Sequence, residues 1–351
     1  MSETVLIVGN FLSASGWTIN VCEDLAPRLA ATGWRVVATS VEPRRWRRLT
    51  DMVFTAYGRK NDYTIAVIDV YSGRAFFWAE AVCAVLRRVK KPYVLVLHGG
   101  NLPRFAQRWP GRVRRLLRSA QAVTTPSQYL RNAVASYRDD IRVVSNGLDL
   151  QAYNFRLRSH PQPRLLWMRA FHDIYNPTMA VHVLARLAPE IPGIQLTMLG
   201  PERGDGSLES VRQEAARLNV SDRLELPGAV PKAEVPRWLE KADVFLNTTN
   251  VDNTPVSVLE AMASGLCVVS TDVGGVPYVV HQESNGLLVP PRDPEAMANA
   301  VRRVLAEPGL AERISFNARR KAETVDWPAI VKEWDSLLKK VLSDAKGRGW
   351  S

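Results

Sequence analysis

Residues 251–275, VDNTPVSVLEAMASGLCVVSTDVGG, combine a helix start, a short apolar helix and a buried strand. Thr254 offers a hydroxyl N-cap, Pro255 suits the first helical position and Gly265 suits a C-terminal stop. The apolar run that follows, LCVVST, is typical of a strand covered on both faces in a parallel sheet. A helix that leads directly into such a strand is the repeating unit of an α/β fold.

Strand-like runs alternate with helical patterns along almost the whole chain. Residues 150–163, LQAYNFRLRSHPQP, interrupt the alternation with polar residues and prolines, which predicts a linker. We therefore expect two Rossmann-like domains that face a cleft, over residues 1–152 and 163–327. The predicted strands are TVLIVGN, WRVVATSV, YTIAVIDVY, YVLVLHGG, AVTTPS and IRVVSNG before the linker, and RLLWMRAF, IQLTMLG, RLELPGAV, DVFLNTT, LCVVSTDVGG and GLLVPP after it.

Composition places the chain among ordinary globular proteins, with 46% hydrophobic and 23% charged residues in 351. No run approaches the roughly 18–20 apolar residues of a membrane-spanning helix. The N-terminus, MSETVLIVGN, has no basic region before its apolar run, so we expect no secretory signal. Three scattered cysteines form no CxxC pair and no disulfide framework, and a cytoplasmic location fits them best.

The positive charge of the chain is concentrated in its first part. Residues 1–150 carry 22 basic and 11 acidic residues, whereas residues 151–351 carry 24 of each. The densest stretch, RFAQRWPGRVRRLLRS over residues 104–119, predicts a basic amphipathic helix. Such a segment attracts polyanions: an anionic membrane surface, a phosphorylated acceptor or nucleic acid. A solvated helix face explains the charge equally well.

Two acids in the opening stretch, Asp252 and Glu260, carry its chemical interest. The free N–H groups at residues 256–258 and the helix dipole suit a diphosphate. One turn further on, Glu260 can accept hydrogen bonds from two vicinal hydroxyls, as a carboxylate does on a ribose. The alternative is that Asp252 and Asn253 only cap the helix and that Glu260 is paired internally. The turn at Gly274–Gly275 predicts a further helix start that can approach a ligand.

Over residues 259–301, the segments LEAMASGLCVVSTDVGGVPYVV and SNGLLVPPRDPEAMANAV resemble the C-terminal signature of GT-B glycosyltransferases of family 4, the retaining, glycogen-synthase-like group. The resemblance extends to LHGGN at residues 97–101, VVSNGLD at 143–149 and TMLGPE at 197–202. It implies an α/β GT-B fold in which a C-terminal helix over residues 328–351 crosses back to the first domain.

The resemblance implies roles for four residues. Glu260 corresponds to the second acid of the family's E-x7-E motif and would hold the nucleotide ribose. The first acid, which contacts the donor sugar, is Asp252 here, one methylene shorter. His98 would face the transferred sugar, although an imidazole held only by loop backbone groups is the alternative. Arg169 would contact the donor diphosphate and support the departing charge.

Two departures from the family pattern bear on activity. Tyr175 and Asn176 stand where the family carries lysine and glycine, so one cation for the phosphates is missing; Arg203 is a candidate to replace it. The N-terminal turn GNFLSASGWT lacks the usual paired glycines, although Gly16 could still form a loop near sugar or acceptor. A catalytically silent nucleotide-sugar-binding homologue therefore stays an alternative.

The function implied is the retaining transfer of a sugar from a UDP-, GDP- or ADP-linked donor to an acceptor hydroxyl on a lipid-linked or cell-envelope polysaccharide glycan, without a metal or other cofactor. An anionic membrane surface is a candidate partner, and nucleic acid is not expected, because no recognition motif is present. A sugar-nucleotide epimerase of GT-B fold is a further alternative. The donor-binding residues predicted are Glu260, Arg169, Tyr175, Gly200, Val230, Asn253, Thr254, Pro255, Val256 and Ser257. The acceptor or membrane side is predicted at Gly16, Arg104, Arg108, Arg112 and Arg115, with Trp109 and Leu116–Leu117 as apolar contacts.

Overall fold

The structure, a computed structural model, describes residues 3–13 and 20–347. The chain forms two compact units, residues 1–147 with 327–351 and residues 148–326. Each unit contains a six-stranded sheet in which all neighbouring strands run parallel. The twelve strands predicted from the sequence are confirmed.

The first unit has the strand order β2-β1-β3-β4-β5-β6. Its strands are β1 (Thr4–Val8), β2 (Arg35–Thr39), β3 (Ile65–Val70), β4 (Tyr93–Leu97), β5 (Ala122–Thr125) and β6 (Arg142–Val143). Its helices before the chain leaves the unit are α1 (Val21–Ala31), α2 (Arg45–Gly58), α3 (Arg74–Arg88), α4 (Leu102–Arg108), α5 (Pro110–Ser119) and α6 (Gln128–Val134). The order begins as in flavodoxin-like sheets, in which the order of the parallel strands reverses between the first and the third strand.

The second unit has the order β12-β11-β10-β7-β8-β9, which is the Rossmann order with its reversal between β7 and β10. Its strands are β7 (Arg164–Met168), β8 (Gln195–Leu199), β9 (Leu224–Gly228), β10 (Val244–Asn247), β11 (Cys267–Thr271) and β12 (Leu287–Val289). Its helices are α7 (Pro177–Leu187), α8 (Ser207–Arg217), α9 (Val235–Lys241), α10 (Val256–Ala263), α11 (Pro294–Ala306) and α12 (Leu310–Glu323).

The last helix, α13 (Trp327–Lys346), belongs to the first unit. Its Trp327, Trp334 and Leu338 pack with α1 and with the β1 residues Val5 and Ile7. The alternate β1 residues, Leu6 and Val8, belong to the core on the other face of the sheet, with side chains from α2 to α6. Both faces of the strand are covered, which explains why the sequence shows an unbroken apolar run there.

Residues 150–163, expected as a linker, are packed into the second unit instead. Tyr153 is buried in the core beside α10, and the Arg158 side chain is fully buried. The Arg158 guanidinium donates to the carbonyls of Ser264, Leu239 and Ala242. The polar composition of this segment reflects hydrogen bonds with the second unit, and the units divide at residue 147 rather than near residue 152.

Among the described residues, no helix is both long enough and apolar enough to cross a membrane.

Candidate active site

The reversal of the second sheet brings two charged side chains together. Arg169 directly follows β7, and Asp252 lies in the loop after β10, the neighbouring strand. In open α/β sheets, ligands bind outside the carboxyl ends of the strands at the point where the strand order reverses. This edge of the sheet is therefore the candidate site of the second unit.

Arg169 and Asp252 form an ion pair that is largely withdrawn from water, with side chains 16% and 11% exposed. The second Asp252 oxygen accepts the backbone N–H of Asn253 at 2.8 Å. Burial lowers the pKa of Arg169 to about 10, so its guanidinium is still a cation at neutral pH. The two residues were expected on different groups of the donor, and the structure instead pairs them directly.

Tyr175 contributes its ring to this pair. The Arg169 guanidinium lies over the ring, 4.8 Å from its centroid, a cation–π contact. The backbone carbonyl of Tyr175 accepts the Thr248 hydroxyl at 2.8 Å, which ties the loop after β7 to the end of β10. Where the family pattern has a lysine, this chain uses a ring that holds the arginine in place. Donation from the Tyr175 hydroxyl to a phosphate stays a prediction.

Helix α10 begins one residue later than expected. Pro255 is the N-cap, and the Thr254 side chain makes no capping hydrogen bond, so its predicted N-cap role is wrong. The hydroxyl oxygens of Thr254 and Ser257 are buried and have no hydrogen-bond partner among the described residues. Buried hydroxyls without a partner are rare in folded proteins, and a ligand is one explanation for them. Val258 donates its N–H to the Pro255 carbonyl, so of the three amides expected to face a diphosphate only those of Val256 and Ser257 stay candidates.

Glu260 is 3% exposed and lies in the second turn of α10. Its Oε1 accepts the Tyr153 hydroxyl at 2.9 Å and also pairs with the Lys232 ammonium group. The internal pairing considered as the alternative is therefore present. The Lys232 side chain is 60% exposed, so it can move aside without a packing cost, and ribose binding by Glu260 stays a prediction.

Two glycines in this region, Gly200 and Gly275, allow close backbone contacts. A Cβ on Gly200, whose φ is +149°, would lie 1.8 Å from the Arg169 carbonyl oxygen. A Cβ on Gly275 would lie 1.6 Å from the Asn253 carbonyl oxygen, and Gly275 donates its N–H to the Asp252 carbonyl at 3.0 Å. Gly275 therefore supports the loop that carries Asp252. A short 3₁₀ turn, Val276–Tyr278, stands where a helix start was expected.

Val230 lies in the loop expected to face the nucleotide base. It is half-buried and packs against the core next to α9 and α10. At the start of this loop, Gly228 accepts the Gly200 N–H at 2.9 Å, which joins the ends of β8 and β9. Base binding by this loop stays a prediction.

In the first unit, His98 follows β4 and is 6% exposed. Its Nε2 lies 2.9 Å from an Asp69 carboxylate oxygen, and its ring stacks on Tyr71 with centroids 5.0 Å apart. The alternative prediction was an imidazole held by backbone groups of its loop. The structure differs, because the Asp69 carboxylate and the Tyr71 ring hold the His98 imidazole. Asp69 is close to Cys22, and burial and that carboxylate raise the pKa of the thiol.

The predicted basic amphipathic helix is two helices, α4 and α5, that meet at Trp109. Pro110 starts α5, and proline disfavours helical backbone in the residue before it; Trp109 has φ −131° and ψ 55°. Leu116 and Leu117, expected as apolar membrane contacts, are 3% and 1% exposed because they pack into the core of the first unit. That part of the membrane prediction is wrong.

The basic side chains of these two helices point to different surroundings. Arg104, Arg108 and Arg112 line a common groove, whereas Arg115 is exposed outside it. Gly16, predicted on the acceptor side, lies outside the described residues.

Within residues 3–13 and 20–347, no three histidine, cysteine, aspartate or glutamate side chains are grouped as a metal ion would need. Metal-independent chemistry stays a prediction.

Four partners in these sites were missed from the sequence: Lys232, Tyr153, Asp69 and Tyr71. An aspartate inside the apolar run YTIAVIDVY was a usable signal for Asp69, because a buried carboxylate needs a partner. Nothing in the spacing connects Lys232 or Tyr153 with Glu260, since the separations are 28 and 107 residues.

Both units match known families. Residues 154–321 match the family described as glycosyl transferases group 1, and residues 4–152 match glycosyltransferase family 4. The chain is 30% identical over 157 residues to a D-inositol 3-phosphate glycosyltransferase of Streptomyces bingchenggensis, covering 43% of this chain and 34% of the relative. It is 28% identical over 195 residues to the amylovoran biosynthesis glycosyltransferase AmsK of Erwinia amylovora, covering 53% and 47%. The chain thus spans half or less of the length of either relative.

Solved structures share the fold over nearly the whole chain. Sucrose-phosphate synthase from Thermosynechococcus elongatus superposes with a TM-score of 0.77 at 20% identity, covering 98% of this chain and all of that one. HepE from Anabaena, in complex with UDP, superposes with a TM-score of 0.78 at 16% identity, covering 97% and 100%. With the two family matches on the two units, the chain belongs to the group 1 glycosyltransferases of family 4 and has the GT-B fold.

Proposed function

We propose that this protein transfers a sugar from a nucleoside diphosphate donor to an acceptor hydroxyl with retention of the anomeric configuration. The observation that carries the proposal is the buried pair of Arg169 and Asp252 at the point where the second sheet reverses. A buried arginine needs an anionic partner, and a diphosphate meets that need as a carboxylate does. Donor binding would then release Asp252 from the arginine and make it available to the sugar hydroxyls.

The start of α10 offers a second set of donors for the same diphosphate. The hydroxyls of Thr254 and Ser257 are buried and have no partner among the described residues, and the amides of Val256 and Ser257 belong to the first helical turn. Together with the helix dipole they support an anion at this position. Charge that develops on the leaving diphosphate would be stabilised by these donors and by Arg169. We assign no enzyme nucleophile and no metal.

Glu260 would bind the ribose hydroxyls, with Lys232 moving toward the diphosphate or into solvent. The complexes of HepE with UDP and with UDP-glucose favour a uridine nucleotide as the donor of this chain. The name of one relative, a D-inositol 3-phosphate glycosyltransferase, favours a phosphorylated acceptor, in agreement with the basic first unit. A cell-envelope polysaccharide is the second candidate acceptor. The location expected for this reaction is the cytoplasm, where nucleotide sugars are the donors.

Thermal unfolding with UDP, GDP and ADP tests the donor site directly. A ligand at 100 times its Kd stabilises the native state by about 2.7 kcal/mol, and we expect UDP to raise the Tm most. Arg169→Gln should weaken UDP binding at least about tenfold, because a charge-assisted contact is lost. Arg217→Gln, an arginine with a 65% exposed side chain on α8, is the matched control and should bind UDP normally.

Turnover separates the transferase from its rivals. Slow release of free UDP from UDP-sugars, faster with an acceptor, supports transfer. UDP-sugar binding without any turnover across a panel of acceptors would instead establish a silent binding homologue. The replacement of the family lysine by Tyr175 favours this alternative. Conversion of the donor sugar to its epimer, read by NMR, would establish an epimerase.

A further inference from the structure

A groove of about 1060 Å³ lies on the first unit between α2, α3, α4 and α5. The described residues that line it are five arginines, five aromatic residues, one glycine and one asparagine. Its volume lies just above the roughly 300–1,000 Å³ typical of sites for small molecules. The sequence predicts Arg104, Arg108 and Arg112 on an acceptor or membrane side, but it does not predict that Arg45, Arg74 and exposed aromatic residues line the same groove. Its arginines are Arg45, Arg74, Arg104, Arg108 and Arg112.

Most of this positive charge is uncompensated. Arg112 pairs with Glu80, with its Nε 3.0 Å from a carboxylate oxygen, and Arg108 lies over the Trp109 ring at 5.7 Å. In the part of the chain that the structure describes, no carboxylate pairs with Arg45, Arg74 or Arg104. The neighbouring Arg48 is surrounded by neutral acceptors, and burial together with the charge of Arg45 lowers its pKa. An anion in the groove would therefore meet several unpaired guanidinium groups.

The groove also exposes large apolar side chains. Trp46 is 80% exposed, Phe77 is 53% exposed and Trp109 is 44% exposed, and all three line the same depression. Single exposed aromatic residues are normal on a protein surface, whereas a contiguous set rimmed by polar groups marks a binding surface. The stems of the arginines add further apolar area along the walls. The groove thus offers both an anion site and cover for a hydrocarbon chain.

The combination of arginines and exposed aromatic residues favours one class of anionic ligand over the others. Arginine forks match phosphate oxygens in a bidentate manner. A nucleic-acid strand needs an extended basic track with stacking rings along it, and this groove is a single depression. A flat membrane surface would be met by apolar side chains that project from the helix face, but Leu116 and Leu117 of α5 are buried in the core, and the exposed aromatic residues line the depression. One bound molecule with a charged head and an apolar chain satisfies both features of the groove.

We propose that this groove binds a single anionic amphiphile, a phosphate group carried on an apolar chain. Its use as the acceptor of sugar transfer rests on the proposed function. The binding itself does not, because every residue of the groove lies in the first unit and the proposed nucleotide site lies in the second.

Calorimetry on the full chain tests the proposal with octyl phosphate as the probe, below its micelle concentration. Inorganic phosphate has only the head and 1-octanol only the chain. Octyl phosphate is expected to bind at least about tenfold more tightly than either, because it uses the arginines and the aromatic residues together. Octyl phosphate should also bind more tightly than butyl phosphate, by about threefold to fourfold for each methylene that enters the groove.

Matched variants locate the binding. Arg104→Gln with Arg108→Gln removes two charges from the groove, and we expect octyl phosphate binding to weaken at least about tenfold. Arg114→Gln with Arg118→Gln removes the same charge from α5 outside the groove and should leave the affinity unchanged. Trp46→Ala should weaken octyl phosphate more than butyl phosphate. Circular dichroism melts confirm that each variant is folded, which is expected because all five side chains are exposed.

Three results would overturn the proposal. Octyl phosphate could bind no better than inorganic phosphate, which would remove the apolar part. The two double variants could lose equal affinity, which would show a diffuse charge effect. Vesicles of phosphatidylcholine with phosphatidic acid could bind the chain while octyl phosphate does not, which would identify a membrane surface instead. UDP binding measured on the same samples reports the second unit separately, so a failure here is distinguishable from a failure of the proposed function.

Discussion

Asp252 and Arg169 carry opposite charges at a site with little access to water, and each depends on the other. The loss of one partner of a buried ion pair leaves an uncompensated charge, which is more costly than the pair itself is favourable. The carboxylate also accepts the Asn253 N–H, so it orders its own loop. A ligand that replaces Asp252 on the arginine must be an anion of similar reach.

Asp252→Asn should separate binding from transfer. The amide keeps the shape of the side chain but no longer neutralises Arg169, so we expect UDP binding to be retained or strengthened. Transfer should fall at least about 100-fold, because an electrostatic contact to the reacting sugar is lost. Nucleotide release from the UDP-sugar measures the rate and calorimetry measures the binding.

Asp272→Asn is the control for that variant, since Asp272 is an exposed acid after the neighbouring strand β11. It should turn over normally. Unchanged turnover of Asp252→Asn would reduce Asp252 to a residue that orders the loop.

Asp69 orients His98 through the contact at 2.9 Å. The carboxylate favours a proton on Nε2 and fixes the ring on Tyr71. We expect Asp69→Asn to lower kcat about 10- to 100-fold with little change in the KM for the nucleotide sugar.

His98→Ala and the double variant complete a mutant cycle. If Asp69 acts only through His98, adding its loss to His98→Ala should have almost no further effect. Fully additive losses would contradict the assignment of Asp69 as a positioning residue. Asp62→Asn, which removes a carboxylate with a 48% exposed side chain from the same unit, should leave the rate unchanged.

At the scale of elements, the loop between β10 and α10 depends on the glycine turn after β11. A Cβ on Gly274 would lie 2.1 Å from the Asp252 carbonyl oxygen, and its φ is +53°. Both the contact and the backbone conformation exclude larger residues. A substitution at Gly274 can therefore displace the loop between β10 and α10 without changing the Asp252 side chain.

Gly274→Ala should weaken UDP binding and lower the Tm, because the loop must move to admit the methyl group. Gly204→Ala is the matched control: its φ is +76°, but a Cβ there meets nothing within 4 Å. Both variants pay about 1 kcal/mol for the left-handed backbone, so the excess loss in Gly274→Ala measures the contact. Equal losses in the two variants would show that the turn does not support the loop.

At the scale of the whole molecule, the start of the second unit is held by one buried acid. Asp243 is fully buried before β10 and accepts from Arg156 and Arg164, each at 2.7 Å. The fully buried Arg158 lies 3.4 Å from the same carboxylate. Burial lowers the pKa of Arg158 to about 10, and the charge of Asp243 opposes that shift. This cluster ties residues 156–164 to the sheet.

Asp243→Asn should destabilise the second unit by about 3–5 kcal/mol, because Arg158 would keep its charge without a partner. Denaturant unfolding measures the loss. Asp222→Asn, an exposed acid before β9, is the control and should stay within about 0.5 kcal/mol of the native chain. A loss in Asp243→Asn as small as in the control would mean that the backbone carbonyls alone satisfy the arginines.

Strands such as β1 and β4 could be predicted because burial on both faces leaves an unbroken apolar run in the sequence, whereas the edge strands β2 and β9 are only partly buried. The segment 150–163 could not be predicted in the same way, since its polar groups are satisfied by carbonyls far away in the chain. The division of the basic segment into α4 and α5 could have been predicted, because Pro110 disfavours helical backbone in the residue before it. The burial of Leu116 and Leu117 could not have been predicted, because periodicity does not say whether an apolar helix face meets the core or a ligand.

The sequence by itself determined the α/β class, the family and the residues Arg169, Asp252, Glu260 and His98 as candidates, since strand periodicity and motif order are local properties of the chain. Only the tertiary structure decided their partners. Arg169 meets Asp252 because β7 and β10 are neighbours in the sheet, Glu260 meets Tyr153 and Lys232, and Asp69 meets His98. Strand order and loop path place these side chains together, and neither is encoded in the spacing between residues.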